Sequence, residues 1–250
     1  MFGEVGETAL LDDSIEMVMG CHLIKSDSYP DNLHYQTSIV MPMMKVASIE
    51  LQSNQEVSRR FYLDKSITST HVWNKLLKLS FVKSNHLYNR EGILWEDSLW
   101  TFYLIRSLKH AVFIRDITYL YYTRPGSISS QTDYKIRLEY QGYIHQEIAN
   151  LIEPERRKEE ADFWIRNFCR YYIDASDNTI YKNAMNSYRI NYSVDKNQNA
   201  FRLLRGTEII SKSIIGHFFL RIVANNKTIR SIGRKLLSKG DQQHKNSVVV

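Results

Sequence analysis

The stretch EGILWEDSLW, residues 91–100, sets two carboxylates, Glu96 and Asp97, side by side between Trp95 and Trp100. An ionised carboxylate can take the proton of an attacking hydroxyl as a general base. From Asp97 onward the spacing Leu99, Phe102, Tyr103, Arg106 predicts a packed helix face, so the pair stands at a helix start. The positive end of the helix dipole favours the ionised form of Asp97. Glu96 next to it opposes ionisation by repulsion. Read from these residues alone, Asp97 is a helix cap before it is a base.

Elements must hold that carboxylate in place. MVMGCHLI, from residue 17, is a continuous apolar run and predicts a buried strand. Before it, residues 7–16 read as a short helix. After it, KSDSYPDN reads as a loop and YQTSIVM as a second strand ended by Pro42. Residues 55–70 fit a helix or an irregular loop. HVWNKLLKLSFVKSN reads as extended first and helical after, and AVFIRDITYLYYTR, rich in β-branched and aromatic residues, as a strand closed by a PGSISS turn. Beyond residue 133 helical periodicity dominates, with helices expected over 133–152, 154–173 and about 177–192. Pro154 suits a first helical turn. The fold class is therefore α/β, a mixed sheet with helices followed by a mostly helical C-terminal region. The expected units are 1–132, 133–200 and a basic tail over 201–250.

Composition narrows the function classes. With 250 residues, 43% hydrophobic and 24% charged, the chain can bury a sizeable core. Its 16 tyrosines suit clefts and interfaces. Two distant cysteines, Cys21 and Cys169, make neither a disulfide scaffold nor a zinc motif, which fits a reducing, cytoplasmic setting. The net charge of +6 is uneven: ten Lys/Arg and two acids follow residue 201, leaving 23 basic and 25 acidic residues before it. A near-neutral body argues against a broad nucleic-acid surface, so no nucleic-acid partner is expected. Residues 201–239 mix apolar side chains (Ile209, Ile210, Ile214, Phe218, Ile222) with basic ones (Lys212, Arg221, Lys227, Arg230). That pattern suits a helix lying on an anionic membrane surface, or a helical pair packed on the body.

Three blocks, VWNKLLKLSFVKSN, EGILWEDSLW and YLYYTRPGSISS, resemble in order and spacing the family 2 glycosyltransferases, which have the GT-A fold. The resemblance covers about a quarter of the chain and extends weakly to IEMVMGCHLI. It implies an inverting transfer of sugar from a nucleotide sugar to a glycan or lipid-linked acceptor, in surface polysaccharide synthesis. It makes Asp97 the base, with Glu96 beside it. Trp95 or Trp100 would stack on the sugar, and Trp73, Asn74 and Lys75 would support the floor of the site. Arg124 would meet the departing diphosphate, with Ser127 and Ser129 donating hydrogen bonds. Read without the resemblance, Trp73 is core, Lys75 is solvated, and the serines belong to a turn. The complete family enzyme uses a divalent ion, manganese or magnesium, held by an Asp-x-Asp motif. By the same resemblance that motif falls before Met1. Neither Asp12 and Asp13 nor Asp27 and Asp31 have its spacing. The chain thus reads as an acceptor-side, truncated portion with no cofactor of its own, cytoplasmic and peripheral to the inner face of the membrane. The alternative is a non-catalytic remnant that binds a membrane or partner through its tail.

Overall fold

The computed structural model describes residues 12–26, 48–63, 69–123, 126–127, 133–153, 157–191 and 199–211. Four strands form one mixed sheet: β1 (Met17–Ser26), β2 (Ile49–Leu51), β3 (Lys75–Leu77) and β4 (Ala111–Thr123), in the order β2-β4-β1-β3. The expected strand at residue 17 is β1, and its first six residues are buried, as a continuous apolar run requires. It pairs in parallel with β4, while β2 and β3 run antiparallel on the two flanks. The pairing is regular from Met17↔Ala111 to Met19↔Phe113. It then slips between Met19 and Cys21 and again between Cys21 and His22, so that His22 faces Tyr119.

Seven helices surround the sheet among the described residues: α1 (Asn54–Leu63), α2 (Leu79–Ser84), α3 (Glu96–Ser107), α4 (Tyr134–Leu151), α5 (Lys158–Ala175), α6 (Thr179–Asn191) and α7 (Asn199–Ser211). The ambiguous 55–70 region is thus helical in its first part. Residues 12–16, expected to be helical, instead form a turn leading into β1. The helix expected from Pro154 begins at Lys158, because the backbone of Arg157 leaves helical geometry at φ −137°, ψ 62°. The expected YQTSIVM strand, the KSDSYPDN loop, Pro154 and the tail beyond residue 211 lie outside the described residues.

One hydrophobic cluster runs from Met17 in β1 to Leu204 in α7, so the helical region shares its core with the sheet region. Trp164 of α5 sits near its centre, fully buried, and donates its indole N–H to the Tyr62 hydroxyl of α1 at 3.3 Å. On α3 the buried face is Leu99, Trp100, Phe102, Leu104 and Ile105. Tyr103 and Arg106, expected on the same face, turn aside to polar partners. Arg106 reaches the fully buried Glu160 of α5, Nε to Oε1 at 3.1 Å, and donates to the Leu151 carbonyl at 2.9 Å. A guanidinium this occluded must have such acceptors, since an unpaired buried charge is costly. Helices α4 and α6 approach closely at Gly142, where a Cβ would stand 2.8 Å from the Tyr181 ring.

Two buried titratable groups respond to pH in opposite directions. Burial pushes Glu160 up to about 7 from an ordinary 4.5, with Arg106 and Arg157 pulling the other way. Between those values the unfolded chain holds fewer protons than the folded one, so this group lowers stability as pH rises. Burial drives His145 down to about 3 from 6.5, leaving a neutral ring beside the Tyr188 hydroxyl at 3.1 Å. Here the unfolded chain holds more protons, so stability falls as pH drops. Chemical denaturation at pH 5, 6 and 7 should show Glu160→Gln with a more positive stability-against-pH slope than the native chain and His145→Phe with a less positive one. Each should differ by up to about 1.4 kcal/mol per pH unit.

Candidate functional site

The N-terminus of α3 is built without a side-chain cap. Trp95 occupies the cap position in left-handed geometry, φ 61°, ψ 29°, and the backbone closes the turn through Ser98 N–H to the Trp95 carbonyl at 3.1 Å. Asp97 is therefore not the helix cap. It stands inside the first turn with its side chain 24% exposed, and its Oδ2 lies 3.6 Å from His71 Nδ1. Two links hold that juxtaposition. Thr101, one helical turn beyond Asp97 and fully buried, donates its hydroxyl to the Thr70 carbonyl at 2.9 Å. This fastens the backbone next to His71 onto the same helix face. Lys75 Nζ donates to the Ser69 carbonyl at 3.2 Å and to the His71 carbonyl. Burial lowers the Lys75 ammonium to about 8, and the Asp97 charge acts against that fall.

The other end of this segment is clamped to the sheet where the β1–β4 register slips. Asn74 is in left-handed geometry at φ 66°, its side-chain amide donates to the Gly20 carbonyl of β1, and its carbonyl oxygen accepts from the Thr118 hydroxyl of β4. Asn tolerates that geometry better than most residues. Gly20 is required here, because a Cβ would meet Thr118 Oγ1 at 2.2 Å. Trp73 then stacks with His71 at 4.5 Å, with Tyr119 at 4.7 Å and with Tyr121 at 5.0 Å. His22 meets its edge at 4.8 Å. Burial lowers the His22 pKa, and charge on His71 and Lys75 acts in the same direction. Its Nε2 has no hydrogen-bond partner among the described residues.

The expected site residues therefore separate. Trp73, Asn74, Lys75 and Asp97 come together, and Glu96 sits half-buried in the same helical turn. Trp100 does not join them. Its ring is 7% exposed in the core and its N–H donates to the Leu87 carbonyl at 3.2 Å, so it offers no face to a sugar. The Trp95 ring is covered by the Arg137 guanidinium at 4.7 Å. Ser127 is half-buried just past Gly126, whose φ of 82° makes the turn. Arg124 and Ser129 lie outside the described residues, as do Asp27 and Asp31. Asp12 accepts from the Ser14 N–H at 2.8 Å and Asp13 pairs with Lys78 at 2.8 Å, both in the exposed turn before β1.

Sequence reading missed His71, Thr101, His22, Tyr119 and Tyr121. The alternation of Tyr119 and Tyr121 along β4 was the available signal, since residues two apart share a strand face. Among the described residues no three His, Cys, Asp or Glu side chains gather as a cation site. The described residues thus do not fit the divalent ion implied for the complete family enzyme. No family model and no curated protein matches this sequence.

The Asn74 clamp can be tested by stability. Asn74→Ala removes the donor to the Gly20 carbonyl, leaves the Thr118 hydroxyl only the Cys21 carbonyl, and places alanine at positive φ; it should cost about 2 kcal/mol in denaturant unfolding. Gly20→Ala should cost about 1–3 kcal/mol by overpacking. The two losses should be less than additive when combined, because both break the same junction.

Proposed function

We propose that the chain acts as the acceptor side of an inverting glycosyltransferase similar to family 2, with a GT-A-like sheet and Asp97 as the base. The observation that carries this reading is a partly exposed carboxylate in the first turn of α3, free of capping duty and facing an imidazole at 3.6 Å. The parallel β1–β4 pair with an antiparallel flank is compatible with that fold.

In the reaction, an acceptor hydroxyl approaches Asp97 and bonds through its oxygen to the anomeric carbon of the donor. The bond from that carbon to the leaving diphosphate breaks on the opposite side, which inverts the centre. Asp97 accepts the hydroxyl proton as its oxygen gains positive character. His71 stands 3.6 Å from the carboxylate oxygen, and its own ring is stacked on Trp73. Glu96 stands beside the base in the same helical turn. Lys75 braces the backbone under His71 rather than contacting substrate.

Asp97→Asn keeps the volume and removes the basic oxygen. With folding verified by circular dichroism, it should lower sugar transfer from nucleotide-sugar donors by about 10²–10⁴-fold. His71→Ala should lower it by about 10-fold or more through misplacement of the carboxylate. Unchanged turnover in Asp97→Asn would remove the basis of this reading.

On the same reading, the acceptor is a glycan or lipid-linked glycan, and residues 201–239 bring the chain to an anionic membrane surface. Among the described residues no helix is long and apolar enough to cross a membrane. Helix α7 packs on α5 through Leu204 and leaves Leu203 and Ile209 exposed. Co-sedimentation with phosphatidylserine vesicles should be lost when Lys212, Arg221, Lys227 and Arg230 are changed to Gln, and should weaken as salt is raised.

A further inference from the structure

We propose that the cavity between the loop preceding α3 and helix α4 is a saccharide subsite for uncharged pyranose units. As a subsite for the acceptor, it rests on the reading of Asp97 as the base. Its volume is about 470 Å³. That falls within the roughly 300–1,000 Å³ of small-ligand sites. Its walls carry Arg90, Tyr140, Tyr143, Gln146, Glu147 and Asn150, over a floor that includes Leu99 and Ile144.

The chemistry of these walls selects a polyol. Arg90 and Glu147 pair with each other, so the two charged lining residues cancel. Tyr103 donates its hydroxyl to the second Glu147 oxygen at 2.8 Å, which fixes the carboxylate in one orientation. Among the described lining residues no cation other than the paired Arg90 is left to receive a phosphate or carboxylate ligand. The side chains of Tyr140, Tyr143 and Gln146 make no hydrogen bond among the described residues. Asn150 accepts from the Ser187 hydroxyl at 2.8 Å and keeps its amide N–H groups for another partner. Phenol rings offer faces to the C–H side of a pyranose, and planar amides offer paired donors and acceptors to its hydroxyls. Spacings of three and four place Tyr140, Tyr143 and Glu147 along one face of α4. Gln146 and Asn150 form an adjoining row by the same rule.

Position links the cavity to the base. Leu99 lines it from α3, two residues after Asp97. Two residues turn an α-helix by about 200°. The cavity and the His71–Asp97 pair thus flank the first turn of α3 from opposite sides. An oligosaccharide laid across that turn, past Trp95, would seat its inner rings against Tyr140 and Tyr143. Its terminal hydroxyl would then reach Asp97.

Isothermal titration of the full chain with chitotriose, maltotriose and β-1,4-galactotriose tests this. At least one should bind in the millimolar range or tighter. Tyr143→Ala and Gln146→Ala, both at the surface of α4, should each weaken that binding 10-fold or more while circular dichroism stays native. Uridine diphosphate should show no Tyr143-dependent binding. The Asp97 reading is tested by turnover and this site by trisaccharide binding in the Tyr143→Ala and Gln146→Ala variants, so the two can fail independently. Should transfer depend on Asp97 while sugar binding ignores Tyr143 and Gln146, the cavity is not the subsite. Binding that depends on Tyr143 with no role for Asp97 would keep the sugar site and remove its link to transfer. Absence of binding by all three sugars, or a Tyr143-dependent affinity for uridine diphosphate, would overturn the inference.

Discussion

A single side-chain amide, that of Asn74, joins the two parallel strands to the segment that carries His71 to Asp97; in energetic terms it is the constraint on which that arrangement depends. The amide donates to the Gly20 carbonyl and accepts from the Thr118 hydroxyl in the stretch where β1 and β4 twice lose register. Irregularities of this kind commonly re-aim side chains near functional sites. Here the slip brings Tyr119 opposite His22, and both then contact Trp73. From that clamp the chain runs back through Trp73 to His71, where Lys75 and Thr101 complete the attachment. The separation of Asp97 from its imidazole partner is thus set by the sheet, not by α3 alone.

The polar interior of the helical region follows a different rule. Arg106 leaves the packed face of α3 to meet Glu160, and His145 lies neutral among Trp164, Phe168, Tyr171 and Tyr188. A buried ion pair adds little net stability but penalises arrangements in which either partner is left alone. It therefore ties α3, and with it Asp97, to one placement against α5.

Much of the element order was legible in the chain. The apolar run of β1, the aromatic and β-branched run of β4 and the helical periods of α3 to α6 each carry their own signal. What pairs with Asp97 was not legible, since His71 lies 26 positions earlier and is brought to it by tertiary contacts alone. Trp100 misled because an aromatic beside a carboxylate reads the same whether its ring faces a crevice or the core. Tyr103 and Arg106 misled because a period shows which residues share a helix flank, not whether that flank meets carbon or a buried carboxylate. The left-handed Trp95 gave no warning either, as nothing in tryptophan favours that backbone.

The sheet is four strands wide only at its base. β2 meets β4 at Ala111 to Phe113, and β3 meets β1 at Met17 to Met19; above that level, among the described residues, β1 and β4 continue as a ribbon of two. Narrow ribbons coil more tightly than broad sheets. The pitch of that coil sets the tilt at which the Tyr119 and Tyr121 rings present themselves to the indole. Alterations far up the ribbon would therefore turn the aromatic wall as a unit, like vanes on a twisted shaft, and carry the His71 ring stacked on Trp73 with it.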